Sequence, residues 1–357
     1  MAKRNKLKTF DSTFGWIAFL FFAIIVLFLF FPYLFTQLSC FDWGFSDKPG
    51  EIGDAIGGTL GPFVAIAAAI LTFLAFWVQY KANEQQKKDL EIERFESKFY
   101  SLLELHRNNV NETTIGKTTV GRKAFVSMFN ELKFIFYSVE WFFRENYSKK
   151  MPDDNVPEHI RYNIAYIIFF FGIGPNSSHI VVDLIGEKYK GFFLSAEEYL
   201  KGVQKTWRSE RKAKKPIAVD INGTNVFELD LRYKPCNGHM SKLSHYVRHL
   251  FQLVKYVHES DNELFSYQDK YDYIANVRSQ LSTHEQLLLY YNAISVLGQP
   301  WLENPNYLKE YCVIKSIPLS LADFYQKPKS LLGDKNEHGK NLFEWDEIQQ
   351  RIKGDGK

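Results

Sequence analysis

Two uncharged apolar stretches, Phe14 to Phe35 and Ile56 to Tyr80, open the chain, and no apolar stretch of comparable length follows in the rest of its 357 residues. A helix rises about 1.5 Å per residue and the hydrocarbon core of a bilayer is about 30 Å thick, so roughly 20 apolar residues cross it. Both stretches meet that length. The chain therefore reads as a two-helix transmembrane hairpin carrying a large water-soluble domain. Lys3, Arg4, Lys6 and Lys8 imitate the start of a cleavable signal, but the apolar core behind them is too long and ends on bulky Pro32-Tyr33-Leu34-Phe35. Gln37, not leucine, stands three residues before Cys40, which speaks against the lipoprotein alternative.

Loop charges set the orientation. The amino terminus and the segment holding Lys81, Lys87, Lys88 and Arg94 are basic, whereas the loop between the spans has Lys48 against Asp42, Asp47, Glu51 and Asp54. Lysine and arginine stay on the cytoplasmic side, so both termini are expected there. Cys40 then lies outside, able to form only an intermolecular disulfide, while Cys236 and Cys312 sit in a reducing compartment. The expected organisation is a basic amino terminus (1–13), spans at 14–35 and 56–80 around an external loop (36–55), a stalk helix (81–94), a cytosolic domain (95–327) and a charged tail (328–357). A net charge of +3 names no partner.

The second span carries Gly57, Gly61, Ala65 and Ala69 at every fourth position, a stripe of small side chains that lets another helix approach closely. The partner is either the first span or another copy of the chain. Thr59, Thr72 and Gln79 are polar, but the span has no ionisable group, so a pore here would be apolar and gated by wetting. From Gln79 to Val110 there is neither Pro nor Gly, and the helix is expected to continue, either as a transmitting rod or as a simple tether.

The domain reads as mainly α. Its many phenylalanines, 32 in the whole chain, suit thick helix packing. Phe125, Phe129, Leu132, Phe136, Val139 and Phe143 keep helical spacing. Ile160 to Phe171 forms a helix whose uncharged run is too short to span a bilayer, so it is a buried core helix. Ile217 to Ile221 and Asn225 to Arg232 flank Asn222-Gly223, a strong hairpin signal. A short helix is expected from Phe343 to Ile352 in an otherwise loosely packed tail.

Five of the nine histidines fall between Cys236 and Asn292. On a helix from about Met240 to Val257, Leu243, Val247, Leu250 and Val254 face the core, while His245, Arg248, Gln252 and Lys255 line the other side. That stripe, joined by Arg278, is either an anion-binding face or an ordinary solvated one. Cys236, His239, His245 and His249 supply an alternative zinc set, although their spacing fits no common structural pattern. Ser282 and Glu285 form a capping box. Arg278 and His284 have the spacing of HEPN-type ribonucleases, an alternative catalytic pair. The basic run Lys205 to Lys215 is a solvated loop or a binder of headgroups or nucleic acid. No Walker loop, nucleophile elbow or kinase signature occurs, and no cofactor is expected.

Gly58-Thr59-Leu60-Gly61-Pro62, Phe76-Trp77-Val78-Gln79 and Arg94 to Leu103, followed by Gly238-His239, Leu243 to Phe251, Arg278 to Ser282 and Leu289-Tyr290-Tyr291-Asn292, resemble the phage abortive infection proteins of the AbiC-like group over roughly residues 54 to 300. The resemblance implies a bacterial inner-membrane defence protein that stops phage propagation by arresting the host. Joined to the spans, it leads to the expectation of a homo-oligomeric pore-forming effector whose cytosolic domain senses a nucleotide or oligonucleotide. A membrane-tethered nuclease, a scaffold for a separate toxin, and a sensor protein encoded alongside complete the expectations.

Overall fold

The computed structural model of the chain describes residues 49–116, 119–223 and 225–345, together with Phe19, Ala23 and Val26. The expected first span, 14–35, lies outside the described residues apart from those three. Helix α1 runs Pro49–Glu112. It begins inside the segment expected as external loop, because proline at a first helical position withdraws an N–H that has no helical acceptor there. The chain forms two compact units that divide between Asp89 and Leu90.

In the first unit, α1 supplies what is, among the described residues, the one helix long and apolar enough to cross a membrane, and none of its apolar window is buried. Phe73, Phe76 and Trp77 are each more than half exposed. Transferring such side chains out of water is worth about 1.5–3 kcal/mol each, so this surface calls for an apolar surrounding. Its polar exception is self-satisfied: Thr72 Oγ1 donates to the Ala68 carbonyl at 2.8 Å. Gly57, Gly61, Ala65 and Ala69 are exposed, and no described atom lies within 4 Å of a methyl group built on either glycine. The helix turns hydrophilic beyond Tyr80, where Lys81 pairs with Glu84 at 2.8 Å and Gln85 donates to Asp89 at 2.9 Å.

The second unit is built on Phe95 and Phe99 of α1 and on α2 (Arg122–Phe142), α3 (Glu158–Phe171), α4 (Pro175–Ile185), α5 (Lys190–Lys212), α6 (Met240–His258), α7 (Tyr267–Gln280) and α8 (Thr283–Ala293). Helix α2 packs on α3 and α8, α3 also touches α4 and α6, and α6 lies on α7. The core-helix expectation for α3 holds: Ile164 to Phe169 are buried throughout. The hairpin also forms, Ile217–Asp220 pairing antiparallel with Val226–Leu229. Asp220 caps its turn by accepting from the Gly223 amide at 2.7 Å. Ahead of it, Thr114–Ile115 and Thr119–Val120 form a two-residue pairing that the sequence pattern was too short to announce. The tail departs from expectation, since Leu342 and Phe343 are buried and Trp345 Nε1 donates to the Ser316 carbonyl at 3.2 Å. Residues 346–352, most of the helix expected there, lie outside the described residues.

The end of α3 is fixed by a backbone crossing. Gly172 and Gly238 both have positive φ, 84° and 83°. The Ile173 amide donates to the Cys236 carbonyl at 3.1 Å and the His239 amide to the Phe170 carbonyl at 2.8 Å. A methyl group on Gly238 would fall 2.6 Å from the Phe171 carbonyl group, and one on Gly172 2.8 Å from that of Asn237. Only glycine lets the two strands of chain touch here.

Between α1, α6 and α8 lies a buried polar cluster. Among the described residues, both ring nitrogens of His106, the Tyr246 hydroxyl and Glu285 Oε1 lack a hydrogen-bond partner of good geometry. The His106 ring lies 5.0 Å from that of Tyr246. Burial, with a smaller contribution from His249, lowers the His106 pKa to about 4. Burial raises that of Glu285, against the pull of the Ser282 hydrogen bonds and Arg122, and burial with the Glu285 charge raises that of Tyr246.

Gly238→Ala should cost about 3 kcal/mol, from a left-handed non-glycine residue and a backbone clash together. Gly191→Ala, in α5 with open space around it, should leave the melting temperature unchanged or raise it. Equal melting temperatures for the two variants would refute the crossing as a constraint. The unfolded chain binds a proton to His106 at pH 6.5 whereas the folded one resists until about 4. Its contribution is intact above pH 6.5 and is lost as pH falls toward 4, by about 3 kcal/mol in all. His106→Phe should remove that loss and leave the opposite trend of Glu285, as read by denaturation of the detergent-solubilised chain between pH 7 and 4. An unchanged pH slope would count against the assignment.

Candidate functional site

Helix α6 follows its expected pattern. Leu243, Tyr246, Leu250, Leu253, Val254 and Val257 are buried. His245, Arg248 and Gln252 are exposed, and Lys255 reaches Glu259 at 3.5 Å. The ordering comes from helical periodicity: positions three and four apart share a face.

Arg248 is the member of that stripe that borders a cavity, of about 430 Å³. Phe170 and Phe171 from the end of α3, Phe251 from α6 and Trp301 form apolar walls, and Ser244, Arg248 and Asn292 add polar groups. Phe251 meets Trp301 edge-on at 5.2 Å, and Phe170 meets Phe171 in the same way at 4.9 Å. Asn292 is 2 % exposed. Its Nδ2 donates to the Tyr166 hydroxyl at 2.8 Å, while its Oδ1 has no partner among the described residues. Gly298 closes this side, packed so tightly on the Asn292 main chain that a side chain would overlap the carbonyl. An apolar chamber with one guanidinium and one unsatisfied amide oxygen suits a small molecule with an apolar body, a negatively charged group for the guanidinium and an N–H or O–H donor for the amide oxygen.

What holds the chamber in place is a residue the sequence reading passed over. Glu131 of α2 is fully buried. It accepts from the Tyr233 hydroxyl at 2.6 Å and the Cys236 amide at 2.7 Å, and it contacts His239 Nε2 at 2.8 Å. These three bonds tie α2 to the segment that leads into α6. Burial, followed by the Glu131 charge, pushes the Tyr233 and Cys236 pKa values up. A signal for Glu131 was present: it shares a helical face with Ala124, Met128, Ile135 and Ser138, all buried. One carboxylate within an apolar stripe marks a buried partner.

This clasp also divides the alternative zinc set. Cys236 and His239 face Glu131, while the exposed His245 ring stacks 6.5 Å from that of His249. Among the described residues no three His, Cys, Asp or Glu side chains form a metal-holding group.

The two members of the alternative nuclease pair are engaged elsewhere. Arg278 donates to the Tyr311 and Cys312 carbonyls at 3.3 and 3.0 Å and lies 5.6 Å from the Tyr271 ring. It does not line the cavity that Arg248 borders. His284 packs edge-on against Phe129 at 5.7 Å, and burial lowers its pKa. The adjoining capping box forms as expected, the Ser282 amide donating to Glu285 at 2.8 Å and the Glu285 amide to Ser282 at 3.4 Å. A second box, Ser266 with Asp269, opens α7. Its aspartate replaces the glutamate of the usual pattern, and so it escaped the sequence reading.

Residues 238–321 match the family model putAbiC, described as putative phage abortive infection protein. No curated protein and no solved structure matches the chain. The matched stretch begins at the Gly238 crossing and contains α6, α7, α8 and Trp301. The motifs quoted from residues 58 to 103 precede it. Over residues 238–321 the chain is thus similar to the putative phage abortive infection protein family, as its carboxy-terminal motifs anticipated.

Proposed function

We propose that the protein is a membrane-attached effector of phage defence whose second unit, from Leu90 onward, binds a small anionic ligand in the Arg248 cavity. The cavity itself carries this reading: Arg248, the unpartnered Asn292 Oδ1 and the aromatic walls meet largely within the family-matched segment. A nucleotide fits that chemistry, its base against Phe251 and Trp301 and its phosphate on the guanidinium. The membrane part of the reading is supported by the exposed apolar surface of α1.

The ligand acts by favouring one of two states, because a molecule that binds both equally shifts nothing. In the membrane, the stripe of Gly57, Gly61, Ala65 and Ala69 provides the contact through which copies of the chain assemble into a pore. With no ionisable group between Ile56 and Tyr80, opening depends on helix separation and wetting instead of charge movement.

Arg248→Ala removes a charge-assisted contact worth about 1.5–3 kcal/mol, roughly a 10- to 100-fold loss of ligand affinity. Phage plating on cells carrying this variant should rise to the level of unprotected cells, with the protein still in the membrane fraction. Full protection would sink the ligand site. Membrane potential followed during infection tests the effector: cells with the intact chain should depolarise and cells with residues 1–80 deleted should not. Growth arrest at constant potential rejects the pore.

A further inference from the structure

A second small cavity, of about 200 Å³, lies where the end of α5 meets the strand leaving the hairpin. Arg211, Lys214, Lys215 and Arg232 surround it, and Asp230 is the sole carboxylate among its lining residues. Its floor is Trp207, whose Nε1 donates to the Leu231 carbonyl at 3.1 Å and whose ring lies 5.2 Å from the Arg211 guanidinium. Lys214 takes a positive φ of 56°. Its amide bonds to Arg211 and that of Lys215 to Glu210, at 3.1 and 2.9 Å. This tight reversal brings four cations from two pieces of chain to one corner.

Helix electrostatics explains part of this. Arg211 and Lys212 occupy the last turn of α5, where cations offset the negative end of the helix. Lys214, Lys215 and Arg232 lie outside the helix and gain nothing from it. All five side chains are exposed. Among the described residues, none of the five forms an ion pair with a carboxylate. Mutually repelling charges held together without internal partners constitute a surface for an anion.

We propose that this corner binds the phosphates of anionic lipid headgroups and docks the second unit on the bilayer. The proposal rests on the membrane reading of α1 given above. A chain anchored in a bilayer presents its basic residues to headgroups at high effective concentration, so individually weak contacts add up. A single-stranded nucleic acid is the poorer occupant, since single strands draw on exposed aromatic rings for base stacking. Trp207, the aromatic residue of this cavity, is 9 % exposed, with Arg211 stacked beside it.

The full chain, placed in phosphatidylcholine nanodiscs with and without phosphatidylglycerol, tests this by acylation of lysine amines read by mass spectrometry. Lys212, Lys214 and Lys215 should react about tenfold more slowly with phosphatidylglycerol present, and 1 M salt should restore the rate. Lys149 and Lys190, paired with Glu145 and Glu187 at 2.6 and 2.8 Å, serve as internal controls. In the K214E/K215E variant the protection at Lys212 should vanish. Equal rates in the two discs overturn the proposal while leaving the membrane reading intact, and a chain that enters neither disc overturns both. Protection in plain phosphatidylcholine by inorganic phosphate alone assigns the corner to a soluble anion. Protection there by a short oligonucleotide, without an effect of phosphatidylglycerol, assigns it to nucleic acid. Either result replaces the lipid.

Discussion

The architecture of the second unit depends on one place where main chain lies against main chain. Residues 170–173 and 236–239 cross with two backbone hydrogen bonds and two glycines at positive φ. Such a crossing leaves no room for side chains to tune it, so its stability comes from what surrounds it. Glu131 supplies that support from α2. A buried carboxylate is costly unless its oxygens are satisfied, and this one meets a hydroxyl, an amide and an imidazole. Removing any of the three leaves charge behind in the core. The clasp and the crossing therefore act on the same short segment, and both fix the start of α6.

From that fixed start the cavity follows. Phe170 and Phe171 close α3, Met240 opens α6, and all three line the chamber. Arg248 stands two helical turns further on, as 3.6 residues per turn requires of a residue on the same side. The far wall comes from Asn292 and Trp301, held by the close contact between Gly298 and Asn292. The chamber is thus a product of helix ends and connections, where backbone groups are already committed and side chains are free to line space. Within α1 a different division applies. The same unbroken helix carries Phe73 and Phe76 exposed and Phe95 and Phe99 buried, so side-chain surroundings, and not backbone geometry, separate its two environments.

Features governed by local sequence were legible. The uncharged run of α3 was too short for a membrane and proved to be core, Asn222-Gly223 turned a hairpin, Ser282 and Glu285 capped α8, and the α6 stripe faced solvent where periodicity put it. Features made by distant residues were not. Glu131 and His239 are more than one hundred positions apart, and no spacing rule links them. Arg278 illustrates the same limit: its position beside a histidine motif suggested chemistry, yet the carbonyls of Tyr311 and Cys312 claim its guanidinium. The tail was misread because charge around Leu342 and Phe343 hid two apolar residues that find places in the core.

The family match begins at Gly238, yet what makes Gly238 necessary lies before it. Phe171 supplies the carbonyl group that excludes a side chain there, and Glu131 holds the adjoining His239. Within the matched stretch, Arg248, Asn292 and Trp301 contribute to a cavity whose remaining wall, Phe170 and Phe171, also precedes it. Residues 238–321 alone would expose the faces of α6 and α8 that α2 and α3 cover, and would leave His239 without its carboxylate. The physical unit that encloses the chamber is therefore larger than the segment the family model matches: it needs α2 and α3 to complete the clasp, the crossing and the chamber.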